Sequence, residues 1–105
     1  MAIDVNEKNL DSEVLQSEGV VVADFWAPWC GPCRKLGPVL DDIEQSFEGK
    51  IKVVKINADE NLEIMKKFSV SGLPSLLVFK NGEAVERMAG LIPKSSIINN
   101  IEKHI

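Results

Sequence analysis

The sequence predicts an α/β domain built on a mixed β-sheet. A β-branched and aromatic run at 20–26 is followed by a long amphipathic helical pattern and by a second β-branched run at 51–56, which is the order of a parallel βαβ unit. Two later segments, at 75–79 and 83–89, flank Lys80-Asn81-Gly82, and this is a strong hairpin signal. The sheet is therefore predicted to be parallel in its first part and antiparallel at its end.

The first half of the chain contains one strand that should be buried on both faces. Residues 20–26 are apolar at every position except Asp24, which is typical of a strand covered on both sides of the sheet. Before it, 2–5 alternates weakly, and we interpret it as an edge strand. Residues 11–17 carry apolar side chains at helical spacing, which predicts a short helix that ends at Gly19.

The remaining helices are predicted from their apolar spacing and from their ends. The helix after the first buried strand has its apolar face at Leu36, Val39, Leu40, Ile43 and Phe47. Pro38 lies inside this pattern and is expected to kink the helix, because proline removes one backbone hydrogen bond, and Gly49 ends it. Asn61 is a suitable N-cap for a short helix, and Pro93 opens a last helix. The apolar face of the last helix is Ile97, Ile98, Ile101 and Ile105.

Length and charge restrict the classes of function. At 105 residues, of which 45% are hydrophobic, the chain is expected to form a single domain over 1–105. Its formal net charge is −4 and its basic residues do not cluster, so nucleic acid is not expected as the main partner. The N-terminal residues lack the basic and apolar regions of a signal peptide, and the longest apolar run, 20–23, is too short to span a membrane. We therefore expect a cytoplasmic protein in a reducing compartment.

Cys30 and Cys33 are the only two cysteines, and their spacing suits a reversible disulfide. Residues at this spacing on a helical turn share one face at about 5–6 Å, within the roughly 4.4–6.8 Å Cα separation that a disulfide tolerates. Pro32 fits the first turn of the following helix, so Cys30 should lie at the helix N-terminus, where free N–H groups favour a thiolate. We expect Cys30 to be the exposed attacking thiolate and Cys33 to be the less accessible resolving thiol.

A zinc site is the main alternative for the cysteine pair. A structural zinc ion needs four ligands, and the chain offers only these two cysteines and the remote His104, so two chains would have to share the metal. In a reducing compartment, a Cys-x-x-Cys pair beside an α/β pattern indicates redox catalysis rather than a stable structural disulfide. No metal is expected.

Asp24 is a further candidate for catalysis. It shares a strand face with Val20, Val22 and Trp26, so its carboxyl group is predicted to point into a largely apolar layer. Burial of an unpaired carboxylate raises its pKa and favours the neutral acid. A carboxyl group tuned toward neutral pH can take up and return a proton. A purely structural role, with a satisfied partner, is the alternative.

Several segments together are similar to the thioredoxin family. The active-site segment of that family resembles 23–33, which reads ADFWAPWCGPC, and the likeness continues at 72–75 (GLPS), 79–82 (FKNG) and Gly90. The resemblance covers the whole chain. It implies the thioredoxin fold, in which a central mixed sheet is flanked by helices on both faces.

The same resemblance implies roles for residues outside the cysteine pair. Asp24 would lie beneath Cys33 as its general base, and Lys55 would lie near Asp24 and tune it. Pro74 would be a cis-proline that faces the disulfide, and the preceding Leu73 would offer backbone groups to a bound substrate. An apolar collar around Cys30 is implied for Trp29, Gly31, Pro32, Leu73, Gly90 and Leu91.

The function that the resemblance implies is the reduction of protein disulfides. The chain would be a protein-disulfide reductase and electron carrier that needs no cofactor beyond its own Cys30–Cys33 disulfide. Its partners would be client proteins that contain disulfides and a thioredoxin reductase, either NADPH-linked or ferredoxin-linked, and we expect a monomer. Gly31 and Pro32 are similar to the residues of reducing members of the fold. A thiol oxidase or isomerase on the same fold, and a redox-independent binding subunit, are the alternatives.

Overall fold

A mixed sheet of five strands forms the centre of the molecule. The structure is a computed structural model that describes residues 2–105. In chain order the strands are β1 (Ile3–Asp4), β2 (Val20–Trp26), β3 (Ile51–Asn57), β4 (Ser75–Lys80) and β5 (Glu83–Ala89). Their order across the sheet is β1-β3-β2-β4-β5. β3 runs parallel to both β1 and β2, whereas β4 is antiparallel to β2 and to β5. The predicted change from parallel to antiparallel pairing is confirmed.

Helices cover both faces of this sheet. They are α1 (Gly31–Ser46), α2 (Leu62–Lys67) and α3 (Lys94–Glu102). Side chains of α1 and α3 pack in one apolar cluster with Val20 and Val22 of β2. Ile64 of α2 packs in a second cluster with Val21 and Phe25. Because side chains of a strand alternate between faces, β2 supplies both cores, and its apolar composition follows from its central position.

The turn between β4 and β5 agrees with the predicted hairpin. Asn81 and Gly82 have φ values of 50° and 83°, as a two-residue hairpin loop with a type I′ turn requires. The loop is tied to the segment before β2, because the Asn81 side-chain oxygen accepts a hydrogen bond from the Gly19 backbone N–H at 2.8 Å. A Cβ atom at Gly82 would overlap the carbonyl oxygen of Leu15. The sequence Asn-Gly therefore provides both the backbone conformation and the space for this contact.

One edge of the sheet is completed by a side chain. β1 has only two residues, so it does not extend along the whole of β3. Val53 of β3 lies just before the paired stretch, whose register begins at Ile3 and Val54. Its backbone N–H donates a hydrogen bond of 2.9 Å to the carboxylate of Glu44, from the last turns of α1. The helix therefore occupies a position on the edge of β3 that β1 leaves open.

Three local predictions need correction. The segment predicted as a helix over 11–17 is a π-helical stretch, Asp11–Leu15, in which the Gln16 N–H donates to the Asp11 carbonyl oxygen at 2.7 Å. Asn61 occupies the N-cap position of α2 without capping it, because its side-chain amide donates to the Asn57 carbonyl oxygen at 2.9 Å. Ile105 is 52% exposed, since α3 ends three residues earlier.

Candidate functional site

Cys30 and Cys33 form a disulfide at the start of α1, with a Cα–Cα distance of 5.3 Å. Cys30 is the N-cap residue, with extended backbone angles of φ −88° and ψ 105°. Its Sγ accepts a hydrogen bond from the Cys33 backbone N–H at 3.3 Å. Gly31 and Pro32 form the first turn, as the sequence predicted for the proline. The sulfur of Cys30 thus lies at the positive end of the helix dipole, where a thiolate is stabilised when the disulfide opens.

Both cysteines are buried in the disulfide form. Cys30 is 5% exposed and Cys33 is 3% exposed, so the predicted difference in accessibility is small in this state. The two sulfur-bearing residues form a small cluster with Ala27, and the side chains of Trp26 and Leu73 pack against it. The asymmetry between the cysteines lies instead in their backbone positions, since only Cys30 precedes the helix.

Asp24 is buried inside the sheet, with an exposed fraction of 1%. It lies on β2 between Val22, which packs against the α1 cluster, and Trp26, which packs against the cysteine pair. Burial raises the pKa of the Asp24 carboxyl group from 3.8 to about 6, and the positive charge of Lys55 opposes this rise. Its Oδ1 has no hydrogen-bond partner among residues 2–105. The predicted placement in an apolar layer is confirmed, and the carboxyl group can change its protonation state near neutral pH.

Lys55 lies beside Asp24, as the resemblance implied. The two residues are register partners in the parallel pair of β2 and β3. Both contribute to the wall of a cavity of about 150 Å³, together with Gly37 and Asp41 of α1. The Lys55 ammonium group also lies over the Trp26 ring, 4.5 Å from the ring centroid, which is a cation–π arrangement. Lys55 therefore connects the buried carboxyl group with the aromatic side chain that packs on the disulfide.

A second segment of the chain approaches the disulfide from the side of β4. The Leu73–Pro74 peptide bond is cis, and the Leu73 side chain packs against the cysteine cluster. The Pro74 carbonyl oxygen accepts a hydrogen bond of 2.9 Å from the Gly90 N–H. Leu91, which follows Gly90, is 58% exposed. The structure therefore brings the predicted residues Leu73, Pro74 and Gly90 together at one side of the site.

Trp29 is held at the surface by a residue that the sequence did not reveal. Its side chain is 68% exposed, and its indole N–H donates to both carboxylate oxygens of Asp59, at 3.0 and 3.2 Å. The Asp59 backbone N–H in turn donates to the side-chain oxygen of Asn57 at 3.0 Å. Asp59 is 30 residues from Trp29 and lies in a short 3₁₀ turn, Ala58–Glu60. No local pattern marks it, because only the fold brings the two residues together.

The described part of the chain contains neither a candidate metal site nor a helix that could span a membrane. Within residues 2–105, no group of three or more His, Cys, Asp or Glu side chains could hold a metal ion. None of the helices in this part of the chain is long and apolar enough to cross a membrane.

Comparison with known proteins places these features in context. The model of the family described as Thioredoxin matches residues 1–103. Thioredoxin 1 of Nostoc sp. (strain PCC 7120) is 45% identical over 104 residues, which are 99% of this chain and 97% of that protein. Thioredoxin of Bacillus subtilis is 51% identical over 89 residues, 85% of this chain and 86% of that protein. The chloroplastic Thioredoxin M-type of Spinacia oleracea is 44% identical over 102 residues, 97% of this chain and 56% of that protein.

Proposed function

This chain belongs to the thioredoxin family, and we propose that in its reaction Cys30 is the attacking thiolate and Cys33 the resolving thiol. The chain has the thioredoxin fold and is a protein-disulfide oxidoreductase whose own cysteine pair carries the electrons. Disulfide-containing proteins and a thioredoxin reductase are its kinds of partner. What remains to be assigned is the role of each residue around the pair.

The proposed reaction has two exchange steps. In the first, the Cys30 thiolate attacks one sulfur of a client disulfide, the client S–S bond breaks, and the departing client thiolate takes a proton from water. In the second, the Cys33 thiol gives its proton to Asp24, and the resulting thiolate attacks Sγ of Cys30 in the mixed disulfide. The S–S bond between Cys30 and the client breaks, and the departing client thiolate takes a proton from water. The client leaves as a dithiol and Cys30–Cys33 becomes a disulfide. Two electrons have then passed from this chain to the client.

The observation that carries this assignment is the position of Cys30 before the first turn of α1. Its Sγ accepts a hydrogen bond from the Cys33 N–H, and hydrogen bonds to a charged form favour that form. Cys33 lies inside the first turn of the helix, so its sulfur does not share the N-cap position. These differences favour first attack by Cys30 and an internal role for Cys33.

The proposed role of Asp24 rests on its burial and on its neighbours. A general base works best when its pKa lies near the working pH, and the pKa of the Asp24 carboxyl group is raised to about 6. Lys55, on the neighbouring strand, would keep the carboxylate form accessible by its positive charge. Asp24 lies under α1, the helix that contains Cys33, and this position supports transfer of the Cys33 proton to it.

The client would bind over the side of the site that Leu73, Pro74 and Gly90 form. Leu73 would offer backbone groups to an extended client segment, and the exposed side chains of Trp29 and Leu91 would contact it. An exposed tryptophan is a favourable contact residue because its large ring is rigid and amphipathic. The hydrogen bond from Trp29 to Asp59 would hold this ring in place before the client arrives.

The cellular setting of the proposed reaction is the cytoplasm, where the chain would act as a monomer. A carrier that donates electrons has to be reduced again after each turnover, and a reducing compartment supplies the reductase that does this. Both an NADPH-linked and a ferredoxin-linked reductase suit this chemistry. Gly31 and Pro32, in the first turn of α1, would tune the pair toward reduction.

A pair of matched cysteine variants tests the assignment. With 5,5′-dithiobis(2-nitrobenzoate), one coloured thiolate is released by the first attack and a second by resolution. Wild-type protein should release both, Cys33→Ser should release one and retain the other half as a mixed disulfide detectable by mass spectrometry, and Cys30→Ser should react slowly. Insulin reduction by wild type, absent in both variants, confirms that a protein disulfide is turned over. Turnover of insulin by Cys30→Ser would refute the assigned roles.

A further inference from the structure

Arg87 of β5 is bound to the end of α2 by two hydrogen bonds. Its Nη2 donates to the Phe68 carbonyl oxygen at 2.6 Å, and its Nη1 donates to the Ser69 carbonyl oxygen at 3.4 Å. Phe68 is the C-cap residue of α2, and the last carbonyl groups of a helix have no partner within the helix. An arginine side chain can supply one. In the part of the chain that the structure describes, the guanidinium group has no carboxylate partner. Its contacts therefore point to a role in fixing this helix end.

The fold places Arg87 on the side of the sheet that α2 covers. Arg87 is the register partner of Leu77 on β4, and directly opposite residues of an antiparallel pair share one face of the sheet. Leu77 packs in the same apolar cluster as Ile64 of α2. The two hydrogen bonds join residues that are 18 and 19 positions apart in the sequence. Arg87 therefore connects an edge strand of the sheet with a helix that the chain formed much earlier.

The same strand also holds the other end of the loop that follows α2. This loop, residues 68–74, connects α2 with β4 and contains Leu73 and Pro74. At its far end the Pro74 carbonyl oxygen accepts the hydrogen bond from the Gly90 N–H at 2.9 Å. Gly90 directly follows β5, three residues after Arg87. One end of β5 thus holds the loop both where it begins and where it ends.

Other contacts keep the loop folded but leave its start dependent on Arg87. The Phe68 ring packs edge-on against the Phe79 ring, with 5.3 Å between the centroids, and Val70 is buried. Ser69 has a φ value of 56°, a left-handed conformation that costs energy for residues other than glycine. Release of the Phe68 and Ser69 carbonyl groups would let this conformation relax. Loss of Arg87 should therefore loosen the loop without unfolding the protein.

We propose that Arg87 is a positioning residue that holds the loop 68–74 in the conformation that receives a client. The proposal rests on the client-binding side proposed above for Leu73, Pro74 and Gly90. A client segment that bonds to the Leu73 backbone needs that backbone in a fixed place. A loop that is ordered before binding does not have to be ordered at the expense of affinity. Arg87 acts through the loop and takes no part in the exchange of disulfides.

The guanidinium group suits this task better than an ammonium group. Its N–H donors diverge in a rigid, planar fork, so Arg87 can reach two successive carbonyl oxygens at once. A lysine carries the same charge as a compact group on a flexible stem, and it would not hold both carbonyl groups in this way. The alternative is that the exposed Arg87 attracts acidic clients by its charge, and a lysine variant separates the two roles.

The test compares a protein disulfide with a small one. Arg87→Met removes the fork and keeps an aliphatic stem, whereas Arg87→Lys keeps the charge. Lys50→Met is the charge control, because Lys50 is exposed and precedes β3 at the end of the sheet opposite to Trp26. Reduction of insulin, with dithiothreitol as electron donor, gives kcat and KM for a protein client. Stopped-flow reaction with 5,5′-dithiobis(2-nitrobenzoate) gives the rate of first attack on a disulfide that has no peptide segment.

Two further measurements separate local order from overall stability. Hydrogen–deuterium exchange of the segment 68–74 reports how ordered the loop is in the free protein, and urea unfolding shows that each variant is folded. Arg87→Met should raise the KM for insulin about threefold to tenfold and leave kcat within about twofold, because the client has to order the loop. Arg87→Lys should raise KM at least about twofold. Exchange of the loop amides should be faster in Arg87→Met. Lys50→Met should match wild type, and first attack on the small disulfide should be unchanged in all three.

Several results would overturn the role of Arg87. An unchanged KM for insulin in Arg87→Met would reject it directly. A wild-type KM in Arg87→Lys would assign the effect to charge, and a raised KM in Arg87→Met with unchanged exchange of the loop would assign it to direct contact with the client. An equal slowing of insulin reduction and of first attack would place the effect at the cysteine pair.

Leu91→Ser distinguishes a failure of this proposal from a failure of the proposed client-binding side. Leu91 is exposed beside Gly90, so the substitution removes a client contact and leaves the loop intact. If Leu91→Ser raises the KM for insulin while Arg87→Met does not, clients bind on this side and only the role of Arg87 fails. If neither variant changes KM, the client-binding side itself is wrong, and the role of Arg87 fails with it.

Discussion

The substitution Asp24→Asn should make the protein more stable at neutral pH. The pKa of the Asp24 carboxyl group is 3.8 before the effect of burial and about 6 in the folded protein. Between these two pH values the folded state keeps a proton that the unfolded state has released. The free energy of unfolding therefore falls as pH rises through this window and is level above it. Each unit of difference between the folded and the unfolded pKa contributes about 1.36 kcal/mol, so the free energy of unfolding falls by about 3 kcal/mol across this window.

Asparagine has nearly the size of a protonated aspartic acid and does not titrate. The two proteins should therefore have similar stability near pH 3, and Asp24→Asn should be more stable by about 3 kcal/mol at pH 8. Because the two proteins are compared at several pH values, any effect of the amide group on stability that does not depend on pH cancels. Because Asp24 is 1% exposed, solvent screening reduces this difference little.

Urea unfolding of the disulfide form at pH 3, 5, 6.5 and 8 measures the predicted dependence. Asp42→Asn is a suitable control, since Asp42 is an exposed aspartate of α1 and reports the effect of removing one negative charge. The gain from Asp24→Asn should appear between pH 4 and pH 6 and remain constant above. A gain that is independent of pH would show that burial does not shift the pKa of Asp24, and a loss of stability at pH 8 would show that the folded protein holds Asp24 as a satisfied carboxylate.

Two other positions give matched tests of the fold. Gly82→Ala should destabilise the protein by about 1–3 kcal/mol more than Gly49→Ala, because both glycines have positive φ but only a Cβ at Gly82 would overlap the Leu15 carbonyl oxygen. Equal values from urea unfolding would show that the hairpin loop moves away freely. Glu86→Gln should lower stability at pH 6 and have no effect at pH 2, because the hydrogen bond with His104 holds the pKa of Glu86 below its usual 4.5. That contribution is present above pH 4.5 and is lost as pH falls through the lowered pKa, and an unchanged thermal midpoint at pH 6 would exclude it.

Elements with a strong periodic pattern were predicted closely from the sequence. The prediction of a strand over 20–26 corresponds to β2 (Val20–Trp26), and that over 83–89 to β5 (Glu83–Ala89). In both cases nearby residues contain the signal, either a run of β-branched side chains or the Asn-Gly turn. The capping role expected of Asn61 was wrong, because its amide group found the Asn57 carbonyl oxygen instead. A competing partner of this kind is not visible in a local pattern.

The site was predictable where chemistry depends on residues that are neighbours in sequence. Cys30 at the N-cap of α1 and Asp24 inside β2 both followed from local patterns. The hydrogen bond between Trp29 and Asp59 did not, since it joins separate loops. The cavity beside Asp24 was not predictable either. A cavity is produced by a side chain that is missing, and the sequence of one helix does not show what faces the empty space.

The hydrogen bond from Val53 to Glu44 has a consequence for how molecules of this protein meet one another. An open strand edge offers backbone groups to which a strand of another molecule can add, and such pairing leads to aggregation. On β3 the carboxylate of Glu44 already accepts the Val53 N–H, and it brings a negative charge to that edge. An incoming strand would have to displace a charged acceptor and bury its own carbonyl oxygen beside it. A short first strand is therefore compatible with a high concentration of the folded protein, because α1 protects the stretch that this strand leaves uncovered.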